Sequence, residues 1–140
     1  TDADVDGAHI AALLITFFYK QMPDLIESGQ LFLAMPPLYK LAVGSKSVYA
    51  RDDAHKDELM ATEFKNKKVE VSRFKGLGEM MPAQLKETTM NPETRTLARV
   101  SLPNGLEGPG ELVETLMGKK AEHRFKFIQE NASFVEELDV

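Results

Sequence analysis

Asp2, Asp4 and Asp6 stand at alternate positions directly ahead of Gly7 and an apolar run that reaches Tyr19. Side chains of an extended segment repeat with period two, so the three carboxylates are expected on one side, where like charges repel. The positive end of a following helix relieves only part of this, since its dipole is worth about half an elementary charge. A hard cation with oxygen ligands, Mg²⁺ or Ca²⁺, answers the remainder. The run itself constrains the fold just as strongly. Ile10, Leu13, Leu14, Phe17 and Phe18 follow helical spacing, and Ala11, Ala12 and Ile15 fill most of the other side. That pattern predicts a mostly buried helix. Only His9, Thr16 and Lys20 share a polar stripe, so His9 reads as a surface residue or as a further ligand.

The 140 residues, 43% hydrophobic and 28% charged, suit one ordinary domain with a real core. With no cysteine, a disulfide framework and thiolate metal sites are excluded. Lys20 ends the longest apolar run before it reaches the roughly 18 residues that span a bilayer. Opening at Thr1 on its most chemical motif, the sequence reads as a piece of a longer chain. A net charge of −5 argues against nonspecific nucleic-acid binding by the whole surface. Locally the sign reverses, because Lys65, Lys67, Lys68, Arg73 and Lys75 stand against Glu70 alone. Such a run is either a solvated edge or a phosphate contact.

Further along, Pro23 permits a short helical turn through Ile26 that Gly29 stops, and residues 31–34 read as a short strand. Residues 38–50, with Gly44-Ser45 at the turn, read as a hairpin. Asp52-Asp53 can cap a helix over 54–64, and residues 69–74 alternate as a half-buried strand. Lys75-Gly76-Leu77-Gly78-Glu79 is a tight glycine loop ahead of a helix over 82–89. Its paired glycines would let backbone approach a partner or a phosphate, or simply make a turn. Asn91-Pro92 reads as an N-cap with Pro at the first helical position, 97–102 as a strand, and 103–110 as a flexible loop. A helix over 111–117 ends at Gly118, and a longer one over 119–135 carries an apolar seam of Ala121, Phe125, Ile128, Ala132 and Val135 suited to one helical neighbour.

The acidic motif admits several chemistries. A Ca²⁺ loop would use Asp2, Asp4 and Asp6 with Gly7 following, but its twelfth position needs a bidentate Glu and holds Leu13. An aspartate-nucleophile phosphotransferase would use Asp2 and Asp4. A plain helix cap explains one Asp but not three. The remaining reading is a set of carboxylates holding Mg²⁺ for work on a phosphodiester.

Thr1-Asp2-Ala3-Asp4-Val5-Asp6-Gly7-Ala8-His9-Ile10 resembles the Asp-x-Asp-x-Asp-Gly segment of the Toprim domain in type IIA DNA topoisomerases. Arg73-Phe74-Lys75-Gly76-Leu77-Gly78-Glu79-Met80 resembles a second hallmark of the bacterial B subunits, and Pro36-Pro37-Leu38-Tyr39-Lys40 and Leu116-Met117-Gly118 with Arg124 and Phe127-Ile128 match in the same order. Residues 80–85 and the short spacer from Ala61 to Val69 are more similar to the topoisomerase IV branch than to gyrase.

This resemblance implies an α/β fold, the C-terminal portion of a Rossmann-like Toprim domain followed by a mixed α+β tail. The expected divisions are 1–36 for the Toprim part, 37–68 for a connecting hairpin and helix, and 69–140 for the C-terminal region of the subunit. It also implies an ATP-dependent DNA topoisomerase, with ATP bound by a region upstream of these residues. Asp2 and Asp4 would be catalytic metal ligands, with Asp6 an outer or alternate Mg²⁺ ligand or a helix cap. The implied partners are DNA and an A subunit in a complex of two A and two B chains, with no membrane, in the bacterial cytoplasm at the nucleoid. The attacking tyrosine belongs to the A subunit, so Tyr19, Tyr39 and Tyr49 read as core or rim residues, and these residues alone are expected to be inactive. A stand-alone divalent-cation or protein-interaction module is the alternative.

Overall fold

The computed structural model describes residues 1–103, 105 and 108–134, which form a mixed α/β chain of two compact units. The first unit comprises Thr1–Asp4 and Ala34–Ala98, the second Val5–Leu33 and Arg99–Val140.

The first unit is organised by a three-stranded antiparallel sheet of β2 (Tyr39–Val43), β3 (Lys46–Ala50) and β4 (Glu70–Arg73), with β2 in the centre. The two-residue turn between β2 and β3 places Gly44 at φ 58°, a left-handed conformation that glycine adopts without a Cβ penalty. Register follows from that turn, pairing Leu41 with Val48 on one side and with Val71 on the other. Leu41 is fully buried, as is Ala50, and Tyr39, Phe64, Phe74 and Met80 complete the core around them. Helix α3 (Asp53–Ala61) starts as the sequence predicts, because the Asp52 carboxylate accepts the His55 N–H at 2.8 Å. β4 is more exposed than its alternation suggests. All four of its residues are exposed, and among the described residues it is an edge strand paired with β2 alone.

A polar cluster ties β2 to α3. The Tyr39 hydroxyl donates to Asp53 Oδ1 at 2.6 Å, Lys56 Nζ donates to the same oxygen at 2.9 Å, and the ammonium lies 4.6 Å from the Tyr39 ring centroid. The hydrogen bond to Asp53, then burial, raises the Tyr39 pKa, and the same bond followed by that from Lys56 lowers Asp53. Lys56 is raised, first by its bond to Asp53. The raised Tyr39 and Lys56 contribute stability present below their ordinary pKa values and lost as pH rises through the folded ones. The lowered Asp53 contributes stability present above the ordinary carboxylate value and lost as pH falls through its folded one. Tyr39→Phe is therefore expected to cost about 1 kcal/mol across roughly pH 5–9. The difference from wild type, read by urea denaturation at several pH values, should shrink in acid as Asp53 protonates. A pH-independent cost would contradict it.

Helix α4 (Pro82–Leu85) starts with the Met81 N–H donating to Gln84 Oε1 at 2.9 Å, then widens to a π-turn over Lys86–Met90. Asn91-Pro92 does not open a helix. Asn91 Oδ1 accepts the Glu93 N–H at 3.1 Å and its carbonyl accepts from Thr94 and Arg95, so the asparagine closes a local turn instead.

The second unit holds α1 (Val5–Gln21), α2 (Asp24–Glu27), α5 (Gly110–Met117) and α6 (Ala121–Asn131), with a 3₁₀ turn at Ala132–Phe134. Gly29 ends the α2 region at φ 70°. Strands β1 (Phe32–Ala34) and β5 (Leu97–Arg99) are short, and β5 is shorter than the strand expected over 97–102.

The expected burial of α1 is not found. Ile10, Leu13, Leu14 and Phe17 are each about half exposed, and Gly7 is the only buried residue of the helix. Its apolar residues occupy most of the circumference, whereas among the described residues α2 and α5 make its main packing contacts and cover only part of it. The seam of α6 is likewise uncovered, with Phe125 63% and Ile128 59% exposed, and Val135 lies outside the described residues, as does part of the loop 103–110. No helix among the described residues is long and apolar enough to cross a membrane.

Candidate functional site

Two motifs far apart in sequence meet in the first unit. The Ala3 N–H donates to the Lys75 carbonyl at 2.9 Å, which docks the segment before α1 against the glycine loop. Asp2 Oδ1 then accepts the Leu77 N–H at 3.0 Å. The approach depends on Gly76, since a Cβ there would lie 2.7 Å from Asp2 Cγ and Oδ1 and 2.8 Å from Oδ2. Gly76 has extended backbone (φ −152°), so its requirement is space, not conformation. The loop is braced internally, because Glu79 Oε2 accepts the Lys75 N–H at 2.6 Å while Leu77–Glu79 forms a 3₁₀ turn. On either side it is anchored by the buried Phe74 and Met80, and the Phe74 N–H donates to the Leu38 carbonyl at 2.8 Å. A carboxylate is thus held through one of its oxygens by a backbone N–H on a braced loop.

The other two aspartates sit differently. Asp4 is exposed in the bend before α1, and Asp6 is in the first turn of that helix, where a negative side chain suits the dipole. The period-two arrangement expected for the three does not form, because helical geometry begins at Val5 and replaces alternation with a 3.6-residue repeat. Among the described residues no three His, Asp or Glu side chains gather into a group that could hold a metal ion. Asp2 and Asp4 nevertheless suit Mg²⁺ by donor type. This ion keeps several waters and is commonly held by one or two carboxylates together with substrate phosphates, not by a full protein cage.

The remaining candidates divide plainly. His9 is exposed on α1. Tyr39 is buried against Asp53, and burial, then the charge of Glu87 and a 3.4 Å hydrogen bond to it, raise the Tyr49 pKa. Both shifts disfavour the phenolate, the form that attacks. In the basic run, Lys67 Nζ donates to the Glu63 carbonyl at 3.1 Å and stands 5.9 Å from the Phe64 ring, a structural use of its charge. The sequence alone missed the pairing of Asp2 with the loop. Two glycines one residue apart announce close approach but do not say to what.

A chain of this mixed α/β build, with an acidic segment docked on a glycine loop, matches over residues 66–129 the family described as DNA gyrase B subunit, carboxyl terminus. It is 72% identical over 96% of its length to the B subunit of DNA topoisomerase 4 from Caulobacter vibrioides, covering 19% of that protein. It is 61% identical over its full length to the corresponding protein of Bartonella bacilliformis, covering 20%, and 54% identical over its full length to the B subunit of DNA gyrase from Thermus thermophilus, covering 22%. The chain belongs to the family of bacterial type IIA topoisomerase B subunits, the group of topoisomerase IV and gyrase. It spans about one fifth of the length of the curated relatives it matches.

Proposed function

We propose that these residues serve DNA cleavage and religation in a type IIA topoisomerase, on the topoisomerase IV branch, by supplying Asp2 and Asp4 as Mg²⁺ ligands. The reading rests above all on the Asp2 carboxylate fixed by the Leu77 N–H over Gly76. Residues 1–36 would be the end of a Toprim domain, 37–68 a connecting segment and 69–140 the C-terminal region of the subunit, with ATP bound elsewhere in the longer protein. The reaction is a transesterification in which a tyrosine of the A subunit attacks a DNA phosphate and the 3′-oxygen leaves. When bound, Mg²⁺ supplies positive charge to the phosphate oxygens and the leaving oxygen. The chain's own part is positional. Asp2 is held at one oxygen by backbone, which keeps the other oriented without reorganisation, and Asp4, in the bend just ahead of α1, adds a second hard donor. Asp6, in the first turn of α1, serves as an outer or alternate ligand. The setting is a cytoplasmic complex of two A and two B chains acting on the nucleoid.

The test is Mg²⁺-dependent cleavage and decatenation by the full-length protein assembled with its A subunit. Asp2→Ala and Asp4→Ala are each expected to lower cleavage by roughly 10²–10³-fold, the range seen when one preorganised electrostatic contact is lost. Undiminished cleavage by Asp2→Ala would remove the assignment.

A further inference from the structure

In the second unit, α5 and α6 meet at a corner that gathers positive charge around a cavity. Gly118 makes the corner possible. It is buried, its N–H donates to the Glu114 carbonyl at 3.0 Å, and a Cβ there would lie 2.2 Å from that same oxygen. Arg124 closes the corner from the α6 side, donating through Nη1 to the Gly118 carbonyl at 2.8 Å. Beside it is an open cavity of about 550 Å³ lined by Lys20, Glu114, Gly118, Lys119, Lys120 and His123.

The charge of this lining is one-sided. Its single carboxylate among the described residues, Glu114, is already paired with Lys20 at 3.1 Å. Lys119 and Lys120 make no ion pair or hydrogen bond among the described residues, and both are exposed. Two uncompensated ammonium groups and an imidazole therefore face one concavity, on a chain whose net charge is −5. The corner sets the lysines by backbone, since they follow the constrained Gly118 directly. Glu122 on α6 and Glu111 on α5 lie in the first turns of these helices and are not part of the lining.

We propose that this cavity binds backbone phosphates of duplex DNA through Lys119 and Lys120, a contact separate in kind from the Asp2 and Asp4 carboxylates. Ammonium groups recognise phosphate as point charges, without reading bases, so the contact adds affinity independent of sequence. This rests on the DNA-acting reading above, and its failure is distinguishable from the failure of that reading.

The experiment compares the full-length protein with its Lys119→Gln/Lys120→Gln variant, both confirmed folded by circular dichroism, in duplex DNA binding over a salt series without Mg²⁺. The slope of log affinity against log salt is expected to become shallower by about two, with roughly tenfold weaker binding at low salt for unrelated sequences alike. An unchanged slope overturns the proposal. So does loss of inorganic phosphate binding with DNA binding intact, which would assign the cavity to a free anion. Asp2→Ala should leave this slope unchanged, so a null result with Asp2→Ala in cleavage would sink the metal assignment while leaving the lysine contact standing.

Discussion

Gly76→Ala, placed in the full-length protein assembled with its A subunit, is expected to lower Mg²⁺-dependent cleavage by about 10²-fold while costing no more than about 1–2 kcal/mol of stability. The cause is steric and local. The new Cβ would fall 2.7 Å from the Asp2 carboxylate, inside any real contact distance, and the yielding partner is the side chain of an exposed residue, not backbone. Asp2 swings away and gives up the Leu77 N–H. The fold loses one exposed charge-assisted hydrogen bond, which explains the small stability term. The site loses the placement of a ligand, and a shift of about 1 Å in a positioned group is enough for the larger kinetic effect. Gly78→Ala is the control on the same loop. A Cβ there meets nothing within 4 Å, and cleavage should stay near wild type. Equal activities for the two variants, or a wild-type Gly76→Ala, would show that the approach of Asp2 to the loop has no bearing on the chemistry.

That asymmetry between neighbouring glycines also marks where sequence reading stops. The hairpin, the Asp52 cap and the Gly118 helix end were legible because each is written in residues close together in sequence: a Gly in a two-residue turn, an Asp three positions before the N–H it accepts, a Gly at the end of an apolar period. Asn91-Pro92 carried the letters of a helix start, but the asparagine side chain and carbonyl were taken by residues two to four positions on, and a turn won over a helix. The three aspartates were legible as a chemical problem and illegible as a geometry. Alternation holds only while the backbone stays extended, and the apolar period that identifies α1 gives no sign that helical geometry begins as early as Val5. The burial of α1 was overread for a related reason. Periodicity reports which residues would gain from being covered, whereas coverage depends on what packs nearby, and α2 and α5 leave Ile10, Leu14 and Phe17 half in solvent. The meeting of Asp2 with Leu77 spans 75 positions, beyond the reach of any local pattern.

Phe64→Ala should be the most damaging single truncation in the first unit, costing about 3–5 kcal/mol. Phe64 is only 1% exposed and is, with Leu41, one of the two largest fully buried side chains among the described residues. It is not carried by regular structure. α3 ends at Ala61, the Phe64 N–H reaches back to the Leu59 carbonyl at 3.0 Å, and Asn66 turns the chain at φ 61°. The ring is buried, and Lys46 of β3 and Lys67 each place an ammonium 5.9 Å from its centroid. Lys46 is held there by an ion pair with Glu63. Truncation leaves a cavity, releases the turn and strips both cations of their ring. Phe64→Leu separates the contributions, since it keeps most of the apolar volume and removes the cation–π term, worth about 0.5–1 kcal/mol per exposed ammonium. Urea denaturation should place Phe64→Leu between wild type and Phe64→Ala, nearer to wild type. A small domain has a total stability of only about 5–15 kcal/mol, so the alanine variant should unfold at a much lower urea concentration with little change in slope. A cost below about 1 kcal/mol would mean that the turn after α3 is held by its backbone hydrogen bonds and not by the ring it buries.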